Sequence, residues 1–211
     1  MRITIFSDVH GNLPAFETML KHAGQSDLYI CLGDLVNYGP WSNECVDLAL
    51  SLDPCVCLMG NHEEAFINNF YPGENKLVQQ FFQFCIGHFR RKKQIEQFKE
   101  SYFYQDYWCR HTVNNSYIYP DTDISLDANY VIGHSHHQFA YHNNGYTLYN
   151  AGSVGQNRKF INLVNYMVLE ADSRSFKLES VVYDVDLFIS ELKSRNYPQE
   201  CIDYYLNKER I

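Results

Sequence analysis

Five short apolar runs, each stopping at a polar step that carries Asp, Asn or His, constrain this chain more than any other feature. The central run is Leu28–Leu32, which halts at Gly33-Asp34. Ile3–Phe6 leads into Ser7-Asp8, Cys55–Met59 into Gly60-Asn61-His62, Tyr130–Ile132 into Gly133-His134, and Tyr146–Tyr149 into Asn150. Runs of this length are too short for helices and read as buried strands of a parallel or mixed sheet. In open α/β sheets, ligands bind in the crevice outside the carboxyl ends of the strands. The polar side chains are therefore expected to converge, with Asp34 at the meeting point.

The intervening stretches supply helices. Leu13 to Ala23 has Pro14 in its first turn and Gly24 past its end, and Ser42 is placed to cap a helix covering Val46, Ala49 and Leu50. Strand, helix, strand, helix, strand predicts a layered α/β domain. Glu63 and Glu64 suit the first turn of a further helix, and Asn75 to Arg91 carries Leu77, Phe81, Phe84, Cys85 and His88 at helical spacing, a core stripe. Ser101–Tyr104, Tyr107–Cys109 and Ser116–Tyr119 read as strands. Tyr166–Glu170 and Phe176–Tyr183 read as a hairpin around Asp172-Ser173-Arg174, followed by helices over Leu187–Lys193 and Gln199–Asn207. With no linker, repeat or low-complexity stretch, residues 1–211 are expected to form one domain.

Charge narrows the class of partner. A net charge of −8 argues against a broad nucleic-acid surface, and Arg90-Arg91-Lys92-Lys93 reads as a solvated helix end. The seven cysteines form no framework: Cys31 sits in one apolar run, while Cys55 and Cys57 share a strand face. They read as reduced, structural thiols. Met1-Arg2 leads directly into the first strand and no apolar stretch reaches membrane-spanning length, so the expected location is the cytoplasm, without a membrane partner.

Asp8, His10, Asp34, Asn61, His62, His111, His134 and His136 sit at or just after strand ends. Singly, each has a plain structural reading: an Asx-turn for Asp8, a helix cap for Asn61, a satisfied loop histidine for His134. Jointly, imidazoles, carboxylates and a carboxamide repeated after apolar strands make a nitrogen/oxygen metal site. So many candidate ligands exceed the needs of one tetrahedral zinc and suit two ions sharing a bridging carboxylate, an arrangement used for in-line displacement at phosphorus.

At these residues the sequence resembles the calcineurin-like metallophosphoesterase superfamily. Ser7-Asp8-Val9-His10-Gly11-Asn12 matches its Asp-x-His opening, Gly33-Asp34 its bridging aspartate step, Gly60-Asn61-His62-Glu63 its Gly-Asn-His-(Asp/Glu) block, and Gly133-His134-Ser135-His136 its Gly-His-x-His block. Asn150 to Arg158 resembles the small, bacterial-type phosphodiesterase branch. The resemblance implies a four-layer α-β-β-α sandwich of two mixed β-sheets flanked by helices. It implies that Asp8, His10 and His136 hold one divalent ion and that Asn61, His111 and His134 hold another, with Asp34 bridging, each oxygen serving one ion. A metal-bridging hydroxide would be the nucleophile, with His62 facing the leaving group. Mn²⁺ or Fe leads among the metals, with Zn²⁺, Co²⁺ and Ni²⁺ also compatible.

Departures from the family pattern refine the substrate. Phosphoprotein phosphatases have Asp-Arg-Gly where this chain has Asn37-Tyr38-Gly39, so both an acidic partner for His62 and a phosphate-clamping arginine are missing. That favours a small phosphodiester or nucleotide-like substrate, with dinucleotide polyphosphate hydrolysis or a serine/threonine-type phosphatase as alternatives. Tyr38 and Arg158 are the candidate substrate contacts besides Asn61, Tyr38 either stacking on a base or lining the rim. His111 is followed by Thr112 rather than the family's glycine. A non-catalytic scaffold on the same fold is the alternative from another class; the presence of His62 and all seven ligands weighs against it. Tyr204-Tyr205-Leu206 offers an aromatic face to either a second copy or the chain's own sheet, leaving the oligomeric state open.

Overall fold

The apolar runs become strands of two five-stranded sheets, in a computed structural model that describes residues 1–211. In the first sheet β1 (Arg2–Phe6), β2 (Leu28–Cys31) and β3 (Cys55–Cys57) run parallel. The hairpin β9 (Leu163–Glu170) and β10 (Ser175–Val182) joins β1 antiparallel, giving the order β10-β9-β1-β2-β3. The second sheet contains β4 (Tyr102–Tyr104), β5 (Tyr107–Cys109), β6 (Asn129–Ile132), β7 (Gln138–Asn143) and β8 (Tyr146–Ala151), in the order β4-β5-β6-β8-β7. Its central members β5, β6 and β8 are parallel.

The two sheets face each other through Ile3, Ile5, Ile30, Leu32, Val131 and Met167, all fully buried. Alternation along β1 and β2 turns Phe6 and Cys31 to the other face, where helices cover them. Those helices are α1 (Leu13–Ala23), α2 (Ser42–Ser51), α3 (Asn61–Asn68), α4 (Lys76–Ile86), α6 (Val185–Ser194) and α7 (Gln199–Leu206), with a short α5 (Lys92–Ile95). Tyr205 is fully buried against Phe188 and Phe81, so the tail's aromatic face covers the chain's own core. No helix is long and apolar enough to cross a membrane.

The mixed sheets and flanking helices are those expected, with four local differences. Ser116–Tyr119 is not a strand. Its alternation is real, since Ile118 is buried between exposed Tyr117 and Tyr119, but no strand lies beside it. The surrounding segment instead covers the outer face of the second sheet, packing Val113, Ile118 and Leu126 on Tyr130, Ile132 and Leu148. Conversely, Gln138–Asn143 forms the edge strand β7 although only Phe139 is buried, because β8 supplies its backbone partners. The helix predicted over Asn75–Arg91 ends at Ile86: Asn75 caps it, and the chain breaks at Gly87 before the basic run opens α5. Ser42 is the first residue of α2 rather than its cap, and its hydroxyl accepts a bond from the Asn37 amide instead.

Backbone bonds lace together the loops that leave the strands. Asp8 N–H donates to Gly33 O and His10 N–H to Asp34 O, while Gly155 N–H donates to Asp8 O and Gly133 N–H to His111 O. Glu63, in the first turn of α3, fastens a further loop. Its carboxylate accepts N–H bonds from Asp34 (2.7 Å), Leu35 (2.7 Å), Val36 (3.2 Å) and Gly60 (3.0 Å). Gly60 is required there because a Cβ would overlap the Asp34 carboxylate. Removing one acceptor strands several buried donors, each worth about 1–3 kcal/mol. Glu63→Ala is therefore expected to lose about 3 kcal/mol or more in denaturant unfolding. Glu63→Gln, which turns an NH₂ toward those N–H groups, is expected to lose stability too; a wild-type midpoint in both variants would remove Glu63 from this role.

Candidate metal centre

Two groups of acceptor atoms face one another at the strand ends, and they share Asp34. In the first, His136 Nε2 lies 3.2 Å from His10 Nε2 and 3.1 Å from Asp8 Oδ1. In the second, His111 Nε2 lies 3.0 Å from His134 Nδ1, 3.0 Å from Asn61 Oδ1 and 3.2 Å from Asp34 Oδ2. Asp34 Oδ2 is also 3.9 Å from His10 Nε2, so the same oxygen looks into both groups. Asp34 Oδ1 is occupied, accepting the His62 N–H at 2.9 Å. The expectation that each carboxylate oxygen serves one ion is thus corrected: Oδ2 alone is left to reach both sides.

The second nitrogen of three rings is already committed. His10 Nδ1 donates to Val36 O (3.1 Å), His111 Nδ1 to Leu32 O (3.0 Å) and His136 Nδ1 to Gln156 O (2.9 Å). A neutral imidazole with its proton on Nδ1 presents a bare lone pair at Nε2. His10 and His136 therefore point two lone pairs at each other, beside a buried Asp8 Oδ1 that has no partner. Carbonyl-oriented imidazoles of this kind are characteristic of metal ligands, and a donor set of imidazole, carboxylate and carboxamide fits a divalent cation. A third triplet, His10, Asp34 and His62, also meets ligand spacing.

Unusual backbone geometry delivers these side chains. Asp8 (φ 56°), His10 (51°), Asp34 (57°), His134 (68°) and His136 (60°) are all left-handed, as are Asn37 (73°) and Tyr38 (59°). Such residues cost on the order of 1–3 kcal/mol each and cluster at functional sites. The Asn150–Gln156 segment holds them in place. Asn150 Nδ2 donates to Gly133 O and Ser135 Oγ, Ser153 Oγ to Asp8 O, and Gln156 supplies the carbonyl for His136. Gly133 allows the close approach, since a Cβ there would collide with Ser7 Oγ and Asp8 Oδ2.

Electrostatics divides the histidines. Burial disfavours a charge on His111, yet the carboxylates of Asp34, Asp8 and Glu63 outweigh it and hold its pKa at about 10. Burial dominates at His134 and His136, pushing each down to about 4. Burial would raise the carboxyl pKa of Asp8 and Asp34, but the surrounding imidazoles prevail and keep both low. Glu63 is driven the other way, to about 7, by burial and the Asp34 charge, with its backbone donors opposing.

The remaining predicted residues divide by position. His62 is buried, its pKa lowered to about 3 by desolvation, and its Nδ1 lies 2.9 Å from Asn37 Nδ2. The carboxamide thus occupies the orienting position without bringing charge. The Tyr38 ring is packed among His10, His62 and Phe81, which leaves no face for a base to stack on and corrects that option. Arg158 is exposed, and its charge acts on His136 and Tyr38. His22, His88 and His142 lie elsewhere, bonded to Tyr166, Phe84 O and Thr147. Sequence reasoning did not assign the loop-fastening role of Glu63, nor Tyr71 stacked on His62 (5.6 Å) and Tyr117 stacked on His134 (4.0 Å). The polar and aromatic character of those segments was visible; their proximity to the centre was not.

A profile of the calcineurin-like phosphoesterases matches residues 1–190, and the chain belongs to that family. Family membership makes metal-dependent phosphoester hydrolysis its activity at that coarse level. Among relatives, uncharacterized protein MJ0912 of Methanocaldococcus jannaschii is 27% identical over 225 residues, covering 88% of either sequence. A metallophosphoesterase from Sphaerobacter thermophilus is similar in structure, with a TM-score of 0.79 at 25% identity over 98% of both chains. Hypothetical protein PH1004 from Pyrococcus horikoshii OT3 shares the fold, with a TM-score of 0.77 at 14% identity over 97% of both chains.

Two outcomes follow for metal loading. A divalent ion at a thousandfold excess over its Kd is expected to stabilise the chain by about 4 kcal/mol, seen as a raised Tm that a chelator reverses. Binding also expels the His111 proton, which lies among the acceptors. Affinity measured by calorimetric titration should therefore rise with pH, by up to about tenfold per unit below that pKa. A pH-independent affinity would contradict the donor set.

Proposed function

We propose that this chain is a binuclear, divalent-metal-dependent hydrolase of small phosphate esters or anhydrides, acting on nucleotide-like substrates. The observation that carries the reading is the convergence of imidazole nitrogens and carboxylate oxygens on two adjoining points, the first made of bare acceptors and the second holding only the His111 proton that a cation would displace. Asp8, His10 and His136 would hold one ion and Asn61, His111 and His134 the other, with Asp34 Oδ2 common to both. When bound, divalent ions draw charge from the phosphoryl oxygens and make a water acidic enough to attack phosphorus near neutral pH. Mn²⁺ or Fe is proposed first, with Zn²⁺, Co²⁺ and Ni²⁺ as further candidates.

The protein's own groups would then orient the ester and serve the leaving group. With Asn37 Nδ2 donating to its Nδ1, neutral His62 keeps its proton on Nε2, and its ring lies within ligand range of the Asp34 carboxylate and His10. That proton is available to the departing oxygen as a hydrogen bond that strengthens while charge develops. Asn61 adds a carboxamide beside His111, and Arg158 a guanidinium able to grip phosphate oxygens. The Asn37-Tyr38 pair brings neither the carboxylate nor the arginine that phosphoprotein phosphatases use there, which favours small substrates. The seven free thiols suit a reducing compartment, and the cytoplasm is the proposed location.

Metal analysis coupled to a substrate panel tests the reading. The metal-loaded chain should hydrolyse aryl phosphates or nucleotides in preference to a phosphopeptide, and chelation should abolish turnover. A loaded protein inert on every phosphorylated compound would instead indicate a scaffold. His62→Ala should retain both ions and slow turnover by about a hundredfold or more; loss of an ion would make His62 a ligand. Asp34→Ala should lose at least one of two ions by elemental analysis, and retention of both would contradict the shared carboxylate.

A further inference from the structure

A cavity of about 590 Å³ opens beside the second group of acceptors, with Asn61, His111 and His134 in its wall. That volume is enough for a small organic group. Three chain segments complete the wall. Glu64 stands one turn beyond Asn61 on α3, so the two face the same way. Glu100 follows Lys99, which bridges to Leu58 just past β3. Arg110, Asn114 and Asn115 flank His111 in sequence. Thr112 Oγ1 donates to Ser116 O and Ser116 Oγ to Asn114 O, closing the turn in which both asparagines are left-handed.

The wall carries charges of both signs that are not spent on each other. Arginine–carboxylate ion pairs join Arg2 to Glu170, Arg91 to Asp47, Arg174 to Asp106, Arg195 to Glu191 and Arg210 to Asp186. None uses Glu64, Glu100 or Arg110. Arg110 is half-buried, its guanidinium 5.2 Å from the centroid of the Trp108 ring, and its Nε is sealed without a hydrogen-bond partner. A cation held over a ring in this way has less freedom to lose when it meets a ligand. Met59 is the single hydrophobic residue in the lining.

We infer that this cavity holds a diol-bearing substituent that stays on phosphorus, which makes the preferred substrate a phosphodiester of a polyol such as ribose or glycerol. The inference rests on the phosphoesterase reading above and adds the chemical class of one substituent. An alkyl or aryl group would cover two carboxylates and a guanidinium without replacing their water, a costly arrangement. A second phosphoryl group would meet two carboxylates against one guanidinium. An ammonium group would pair with the carboxylates but set a like charge before Arg110. A hydroxyl both donates and accepts, so adjacent hydroxyls can donate to Glu64 and Glu100 and accept from Arg110 and the Asn114 and Asn115 amides. Hydrogen bonds to charged groups are the strong ones. His62 does not line the cavity; its ring lies within ligand range of His10 and Asp34 instead. The leaving oxygen and the cavity-bound group therefore occupy different places, which requires two ester substituents. Hydrolysis joins a water oxygen to phosphorus and breaks the bond to the leaving oxygen, which keeps that bond's electron pair. The diol remains on the resulting monoester, and the proton from the water passes to the leaving oxygen or, with an aryl oxide, to solvent.

The test measures kcat/KM on the Mn²⁺-loaded chain for four diesters that share a 4-nitrophenyl leaving group. Their retained groups form two pairs that differ in hydroxyls: glyceryl against propyl, and uridine-5′-yl against 2′,3′-dideoxyuridine-5′-yl. Wild type is expected to favour the diol in at least one pair by about tenfold or more, and the pair that shows it tells glycerol from ribose. Glu64→Ala and Glu100→Ala should each lower that ratio by about threefold or more, mainly through the KM of the diol. Glu100→Gln, which keeps an acceptor oxygen, should recover part of the loss. Both glutamates are exposed, so their variants are expected to fold. Equal values within both pairs, or a ratio unmoved in both alanine variants, overturn this inference alone. So does a chain that cleaves 4-nitrophenyl phosphate and none of the diesters. A loaded chain that cleaves none of the five compounds overturns the phosphoesterase reading with it.

Discussion

Everything around the centre depends on holding lone pairs against one another. Imidazole nitrogens 3.2 Å apart and a carboxylate oxygen 3.1 Å from one of them repel unless a cation or proton lies between them. The chain maintains this arrangement from outside. The carbonyls of Leu32, Val36 and Gln156 fix three rings, and the His62 and His134 amides each take one carboxylate oxygen. Those carbonyls and amides come from loops that follow different strands, so the two sheets must be complete before the centre exists. The left-handed residues at Asp8, His10, Asp34, His134 and His136 have the same origin: each turns sharply out of an apolar strand to aim a side chain across the crevice.

The neutral partner of His62 separates this centre from one built around an acidic partner. A carboxylate at position 37 would stabilise the imidazolium and raise its pKa. The Asn37 carboxamide orients the ring with no charge, and burial leaves it neutral far below physiological pH. In the proposed mechanism His62 would then assist the leaving group as a neutral hydrogen-bond donor. Such assistance is sufficient when the departing oxygen is itself stable as an anion, as on an aryl oxide or a phosphate.

Much of this was legible in the chain. Apolar runs that stop at Gly-Asp, Gly-Asn-His and Gly-His steps place their polar residues at strand ends, because strand period and sheet burial leave few alternatives. Asp8, His10, Asp34, Asn61, His111, His134 and His136 are accordingly brought together. Local pattern failed where tertiary partners decide. Ser116–Tyr119 alternates like a strand but lies on a face with no neighbouring strand, while polar Gln138–Asn143 becomes one because β8 offers its edge. The four backbone bonds of Glu63 and the stacking of Tyr71 and Tyr117 on histidines distant in sequence also carry no periodic signature. The single free oxygen of Asp34 is a matter of side-chain torsion and the His62 amide, which residue type does not specify.

The shared carboxylate is the central claim, and anomalous diffraction from crystals of the Mn²⁺-loaded chain addresses it most directly. Two peaks per chain are expected, one beside Asp8, His10 and His136 and one beside Asn61, His111 and His134, both bonded to Asp34 Oδ2. A single peak, or two peaks of which only one touches Asp34, would contradict the account.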